Sequence, residues 1–289
     1  MFAPIRNLRY HVRTWGAPQA GRPPLVLVHG WMDVAASFQF VVDCLAREWH
    51  VIAPDWRGFG LTERGGADCY WFPDYLGDLD ALLDVLSPEA PVDLVGHSMG
   101  GNVVMMYAGV RPARIRRLVN LEGFGMAATR PAQAPGRLGQ WLDELRQLRE
   151  GAIDLKPYPD ASAVADRLVK TNPRLPRDKA DWLARQWAQA GSDGQWRILG
   201  DAAHKIVNPY LYRVDEVQAI FERISAPLLA VLASDDSMSQ WWKGKYTLAE
   251  FRQRLQAVPD HRVVEISDAG HMLHHDQPLA LAQALEAFI

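Results

Sequence analysis

Only two cysteines, Cys44 and Cys69, occur in the 289 residues. They stand far apart and in no metal-ligand spacing, so both read as small apolar side chains rather than a disulfide or a metal site. Long hydrophobic runs are also missing. No uninterrupted apolar stretch approaches the ~20 residues that a membrane span requires. The opening residues Met1-Phe2-Ala3-Pro4-Ile5-Arg6 lack the charged-then-apolar layout of a signal peptide, and a cytoplasmic location is expected. Charge of one sign is scarce as well. The 31 basic and 34 acidic side chains leave a formal net charge of −3, with no long run of either. Nucleic acid would call for a basic face, and none is visible. The expected partner is a small-molecule substrate, not a nucleic acid or a membrane. The oligomeric state is left open.

What is present is enough apolar sequence, 48% of residues, to build a large core without disulfides or metal. A chain this long buries roughly 75% of its unfolded surface. Short apolar runs ending in glycine or a polar residue recur at Leu25–Val28, Val51–Ala53, Val92–Val95 and Leu118–Leu121. Between them lie stretches of helical spacing, marked by Phe38, Val41, Val42 and Leu45, and by Tyr75, Leu76, Leu79, Leu82, Leu83 and Leu86. Buried β-rich runs separated by amphipathic helices describe a doubly wound, mostly parallel sheet. The segment from Leu8 to Trp15 alternates more and reads as an antiparallel edge.

The pattern changes at about Met126. As far as Arg213 no good strand appears, and helical segments near Trp141–Arg149, Ser162–Lys170 and Lys179–Gln189 are punctuated by proline and glycine. The sheet signal returns at Pro227–Leu232 and His261–Ile266, and a helix over Leu279–Phe288 closes the chain. The expected organisation is a core formed by residues 1–125 and 214–289, interrupted by a helical cap over residues 126–213. Of the 11 tryptophans, Trp141, Trp182, Trp187 and Trp196 fall in the cap. Trp141, Trp182 and Trp187 are candidates to line a substrate pocket, although packing between cap helices explains each of them equally well.

The chemistry gathers at four places. Val92–Val95 runs into Gly96-His97-Ser98-Met99-Gly100 and then into a helical stretch, the strand–turn–helix context that gives Gly-x-Ser-x-Gly its meaning. The turn is so tight that residues flanking Ser98 must be small, and it presents the hydroxyl where helix N–H groups point outward. His29-Gly30-Trp31 follows an earlier strand. In a site of this kind the amides of Trp31 and Met99 form the oxyanion hole, while His29 reads as a brace for the loop. Gly270-His271 follows the last strand, and His271 is the candidate base. His274 and His275 lie toward the final helix and read as helix-start polar contacts. No carboxylate or cysteine spacing accompanies these histidines, so no metal or cofactor is expected. Asp235 and Asp236 follow the strand after the cap, where a carboxylate would orient His271.

These motifs together resemble the α/β-hydrolase superfamily from near the start of the chain to its last helix. His29-Gly30, Asp55-Trp56-Arg57-Gly58-Phe59-Gly60, Gly96–Gly101 and Gly270-His271 stand in that superfamily's order. Within it, His29-Gly30-Trp31-Met32-Asp33 with Ser37-Phe38, and Gly270–His274, are most similar to the serine hydrolase-like proteins. The resemblance implies Ser98 as nucleophile, His271 as base and Asp236 as acid. The acid falls three residues after a small strand-ending residue, here Ala233. Asp235 then faces solvent, and Glu122, which ends the strand Leu118–Leu121, is a second candidate for the acid. Asp55 and Arg57 match a segment that is largely structural in the family.

A serine at the elbow disfavours the relatives that form an alkyl ester on aspartate, and favours acyl chemistry. Hydrolysis of a small to medium, mostly apolar ester is the expected reaction. Thioester, lactone or carbon–carbon bond hydrolysis and perhydrolysis use the same apparatus, and a non-catalytic small-ligand receptor of the same fold is the alternative of a different class.

Overall fold

The computed structural model describes residues Met1–Ile289. Ten strands form: β1 (Phe2–Ile5), β2 (Leu8–Trp15), β3 (Leu25–Val28), β4 (Val51–Pro54), β5 (Val92–His97), β6 (Ile115–Leu121), β7 (Ala188–Ala190), β8 (Trp196–Ile198), β9 (Leu228–Ala233) and β10 (His261–Ile266). Eight of them make one sheet in the order β1-β2-β4-β3-β5-β6-β9-β10. Every pair from β4 to β10 across that sheet is parallel. Only β2 runs against the others, pairing antiparallel with both β1 and β4.

The central strands are apolar along their whole length because both sheet faces are covered. Val26, Val28, Leu94, Leu118 and Leu228 point into one cluster; Leu25, Leu27, Val95, Val119 and Leu229 point into the other. This is the period-two alternation of a strand, with both sides buried. Eleven helices follow in chain order. They are α1 (Gln39–Val42), α2 (Phe72–Leu86), α3 (Met99–Val110), α4 (Ala134–Arg149), α5 (Ala161–Thr171), α6 (Arg177–Trp187), α7 (Val214–Phe221), α8 (Ser237–Trp242), α9 (Leu248–Leu255), α10 (Leu273–Asp276) and α11 (Pro278–Phe288). Residues of α2, α3, α7 and α9 join the first cluster, and those of α1, α10 and α11 the second. No helix is long and apolar enough to cross a membrane.

Two expectations change. The segment Leu8–Trp15 is antiparallel, but it lies inside the sheet, because Phe2–Ile5 pairs along its outer side. Pro4 cannot donate to a ladder, which suits the edge position. Between β6 and β9 the chain is mostly helical, yet it also forms the small hairpin β7–β8. Gly191 N–H donates to Gln195 O there, and Gly194 adopts φ +76°. This inserted segment builds its own cluster from Val164, Ala165, Leu183, Ala184 and Ile198, joined by Phe40 from the core. It is also tied down by His204, whose ring stacks between Phe59 and Tyr70 at 3.7 Å from each. Cys44 and Cys69 are partly buried and unpaired with each other.

Candidate active site

The loops that follow β3, β5, β6, β9 and β10 meet at the carboxyl ends of the parallel strands, where ligands bind in open α/β sheets. Ser98 sits between β5 and α3 at φ 53° and ψ −114°, a conformation that L-residues rarely adopt. The turn closes because its neighbours carry no side chain. A Cβ on Gly96 would lie 2.3 Å from Gly100 O, and one on Gly100 would lie 2.4 Å from Val28 O. The hydroxyl therefore projects at the first turn of α3, whose leading amides have no intrahelical acceptor. The β3 loop passes close beside it: a Cβ on Gly30 would stand 3.0 Å from Ser98 Cβ.

Ser98 Oγ lies 2.9 Å from His271 Nε2. That is within reach for the imidazole to take the hydroxyl proton. On the other side of the ring, His271 Nδ1 lies 3.3 Å from Glu122 Oε2. Glu122 is 2% exposed and is fixed in turn, because its Oε1 accepts from the Ala233 amide at 2.8 Å. Its own backbone is at φ 55°, directly past the end of β6. The structure thus brings Glu122, not the expected Asp236, to His271. Asp236 is exposed and caps α8, with Oδ1 accepting from Ser239 N–H at 2.9 Å. Asp235 is held by Arg174 at 2.8 Å. The physical reason is local. An aspartate ahead of a helical segment satisfies the free helix amides first, and that turns its carboxylate away from the sheet.

Electrostatics at this site are dominated by loss of water. Burial pushes the His271 imidazole down to about 4, with Asp33 opposing the fall. Burial pushes the Glu122 carboxyl up to about 8, and Asp235 and Asp236 add to the rise. The Ala233 amide and the Ser237 hydroxyl pull Glu122 the other way. Both groups are driven toward their uncharged forms.

Other sequence candidates find structural roles. His29 is fully buried, accepts from Trp56 N–H through Nε2 at 2.9 Å, and lies 2.8 Å from Gly30 O through Nδ1. It braces the β3 loop. Asp55 accepts from the amides of Ala35 and Leu61, and Arg57 grips the buried Asp78 with two bonds of 2.5 and 2.6 Å. Trp182 packs against Phe40, Trp187 beneath Arg167, and Trp196 beside them in the inserted segment's cluster. Trp141 lies half-buried on α4 with its indole nitrogen unpaired. Trp31 is half exposed, its indole donating to His204 O. A residue that sequence reasoning missed is Trp241. It stands exposed on α8 with its ring centroid 4.3 Å from that of His271. His274 and His275, expected to make helix-start contacts, are instead fully buried rings in α10.

With the sheet order, the serine turn and the facing histidine in place, the chain belongs to the family of the alpha/beta hydrolase fold, whose model matches residues 23–278. Two relatives align with nearly the whole chain. A serine hydrolase-like protein of Danio rerio is 27% identical over 297 residues, covering 100% of this chain and 87% of that one. A 3-hydroxybutyrate-oligomer hydrolase of Cupriavidus necator is also 27% identical, over 302 residues, covering 99% and 94%. Among solved structures, a thioesterase domain from the curacin biosynthetic pathway superposes with a TM-score of 0.85 over 99% of this chain and 98% of its own. At 24% identity, it attests the fold alone.

Proposed function

We propose that the protein is a serine hydrolase that cleaves a small to medium, mostly apolar ester, using Ser98 as nucleophile, His271 as base and Glu122 as the orienting acid. One observation carries this reading: Ser98 Oγ lies 2.9 Å from His271 Nε2 while Glu122 lies 3.3 Å from the ring's other nitrogen. In the active form Glu122 is ionised and accepts from Nδ1–H, which leaves the Nε2 lone pair aimed at the serine. His271 takes the hydroxyl proton as Oγ attacks the ester carbonyl. The tetrahedral oxyanion is held by the amides of Trp31 and Met99. His271 then protonates the departing alkoxide, leaving an acyl group on Ser98. Water, deprotonated by the same imidazole, releases the acid and restores the serine.

The exposed faces of Trp31 and Trp241, with Phe124 behind Trp241 at 6.5 Å between centroids, support an apolar substrate. The Cupriavidus necator relative supports an ester as the bond cleaved, since an oligomer of 3-hydroxybutyrate is joined by ester bonds.

Labelling with a fluorophosphonate followed by peptide mapping tests the assignment. The expected adduct is on Ser98 alone, with loss of both labelling and nitrophenyl-ester hydrolysis in Ser98→Ala. Full labelling of Ser98→Ala would overturn it.

A further inference from the structure

Behind the serine–histidine pair lies a second group of polar side chains that the proposed mechanism does not use. Asp33 comes from the loop after β3, His97 from the end of β5, and His274 from α10. One ligand-type atom of each lies within 4.8 Å of the others, and Asp33 Oδ2 is 3.8 Å from His274 Nε2. All three residues are buried: His274 is 0%, His97 2% and Asp33 5% exposed. Yet Asp33 Oδ2, His97 Nδ1 and both nitrogens of His274 have no hydrogen-bond partner. Buried polar atoms are seldom left so, and three from separate residues within 4.8 Å of one another indicate that something is held there.

The sequence offered no carboxylate spaced to match these histidines. The fold supplies one from 241 residues before His274, because β3 and β5 are neighbours and α10 brings the His274 ring to 4.3 Å from that of His97. From this arrangement we infer that Asp33, His97 and His274 form a binding site for a divalent transition-metal ion of the zinc class, with an imidazole–imidazole–carboxylate donor set.

The surroundings of the donors support this. His97 Nε2 lies 2.8 Å from the backbone oxygen of His271, which can only accept. Nε2 therefore carries the proton, and the lone pair is on Nδ1, which has no partner. Metal-binding histidines are oriented in this way, by donating the other ring nitrogen to a carbonyl. Asp33 is held likewise, its Oδ1 accepting from the Ser37 hydroxyl while Oδ2 stays free. A single water is the competing occupant, since it has two protons for Asp33 and His97. A zinc ion 2.0–2.2 Å from each donor would draw the three atoms to about 3.3 Å apart. Side-chain rotation must supply that contraction. Once bound, the ion would join the loops that carry Trp31, Ser98 and His271 from behind.

The test uses the full chain, stripped with chelator and then titrated with zinc chloride by calorimetry. In parallel, crystals grown with zinc are measured at the zinc absorption edge. The expected result is one equivalent bound and an anomalous peak between Asp33, His97 and His274. Asp33→Asn and His274→Gln, checked for folding by circular dichroism, should each weaken binding about tenfold or more. The crystal of the unaltered protein decides the matter if either variant fails to fold. Water density without an anomalous signal at the cluster, or zinc affinity unchanged in folded variants, would overturn the site. Neither readout depends on Ser98 reactivity.

Discussion

Glu122 Oε2 stands 3.3 Å from His271 Nδ1, and the two groups are driven in opposite directions by the same loss of water. Because they touch, they titrate as a pair. Burial favours the uncharged state of this pair, which carries one proton more than a base facing Ser98 can have. Removing that proton, at about 8, leaves the Glu122 carboxylate accepting from Nδ1–H and the Nε2 lone pair free.

A pH dependence follows. kcat/KM for an uncharged nitrophenyl ester should rise with pH and level off above about 8. In Glu122→Gln no shared proton remains, and burial still favours the neutral His271 imidazole. Its much lower activity should therefore be flat from about pH 5 to 8. A flat profile in the unaltered protein would contradict the coupling.

Trp241 provides a handle on the substrate. Its ring stands against His271 at 4.3 Å and is half exposed, so an acyl or alcohol group leaving the site would lie along it. Trp241→Ala should cost about tenfold in kcat/KM for long-chain or aryl esters and less for acetate esters, the lower range for losing one apolar pocket contact. An equal effect across the ester series would remove Trp241 from the pocket.

The turn that presents Ser98 admits no side chain at Gly100. A methyl group there would sit 2.4 Å from Val28 O and 2.6 Å from His29 O, both in rigid backbone. Gly100→Ala should destabilise the fold by about 1–3 kcal/mol in urea denaturation, as overpacking does. It should also lower Ser98 labelling in the fraction that remains folded.

Asp78 anchors a different part of the sheet. It is fully buried and accepts from Arg57, Arg6 and the Tyr10 hydroxyl. Asp78→Ala strands the Arg57 guanidinium, 11% exposed, without its main partner. The expected loss is about 3–5 kcal/mol of stability, read by chemical denaturation.

The residues that were legible in the sequence are those whose role is set by their immediate neighbours. Gly96 and Gly100 announce the serine turn because the turn itself demands them, and the apolar runs of β3, β5 and β9 announce a sheet buried on both faces. The acid was not legible in the same way. Glu122 directly follows β6 and Asp236 stands three residues past β9, and which one faces His271 depends on how β6, β9 and β10 lie side by side. A signal was present: Asp236 is followed three residues later by Ser239 at the start of a helical stretch, the position of an N-cap. The group formed by Asp33, His97 and His274 was hidden for a related reason, since its members come from the loop after β3, the end of β5 and α10. Strand β1 was missed because four residues containing a proline carry too little pattern.

The measurement that bears most directly on the proposed site compares kcat/KM for one nitrophenyl ester in Glu122→Gln and Asp236→Asn. If Glu122 orients His271, Glu122→Gln should retain the fold and lose on the order of 10⁴ in rate, as loss of the orienting carboxylate does in serine proteases. Asp236→Asn should stay within about tenfold, because an asparagine caps α8 as well as an aspartate. An active Glu122→Gln beside a dead, folded Asp236→Asn would contradict the account and return the acid to the end of β9.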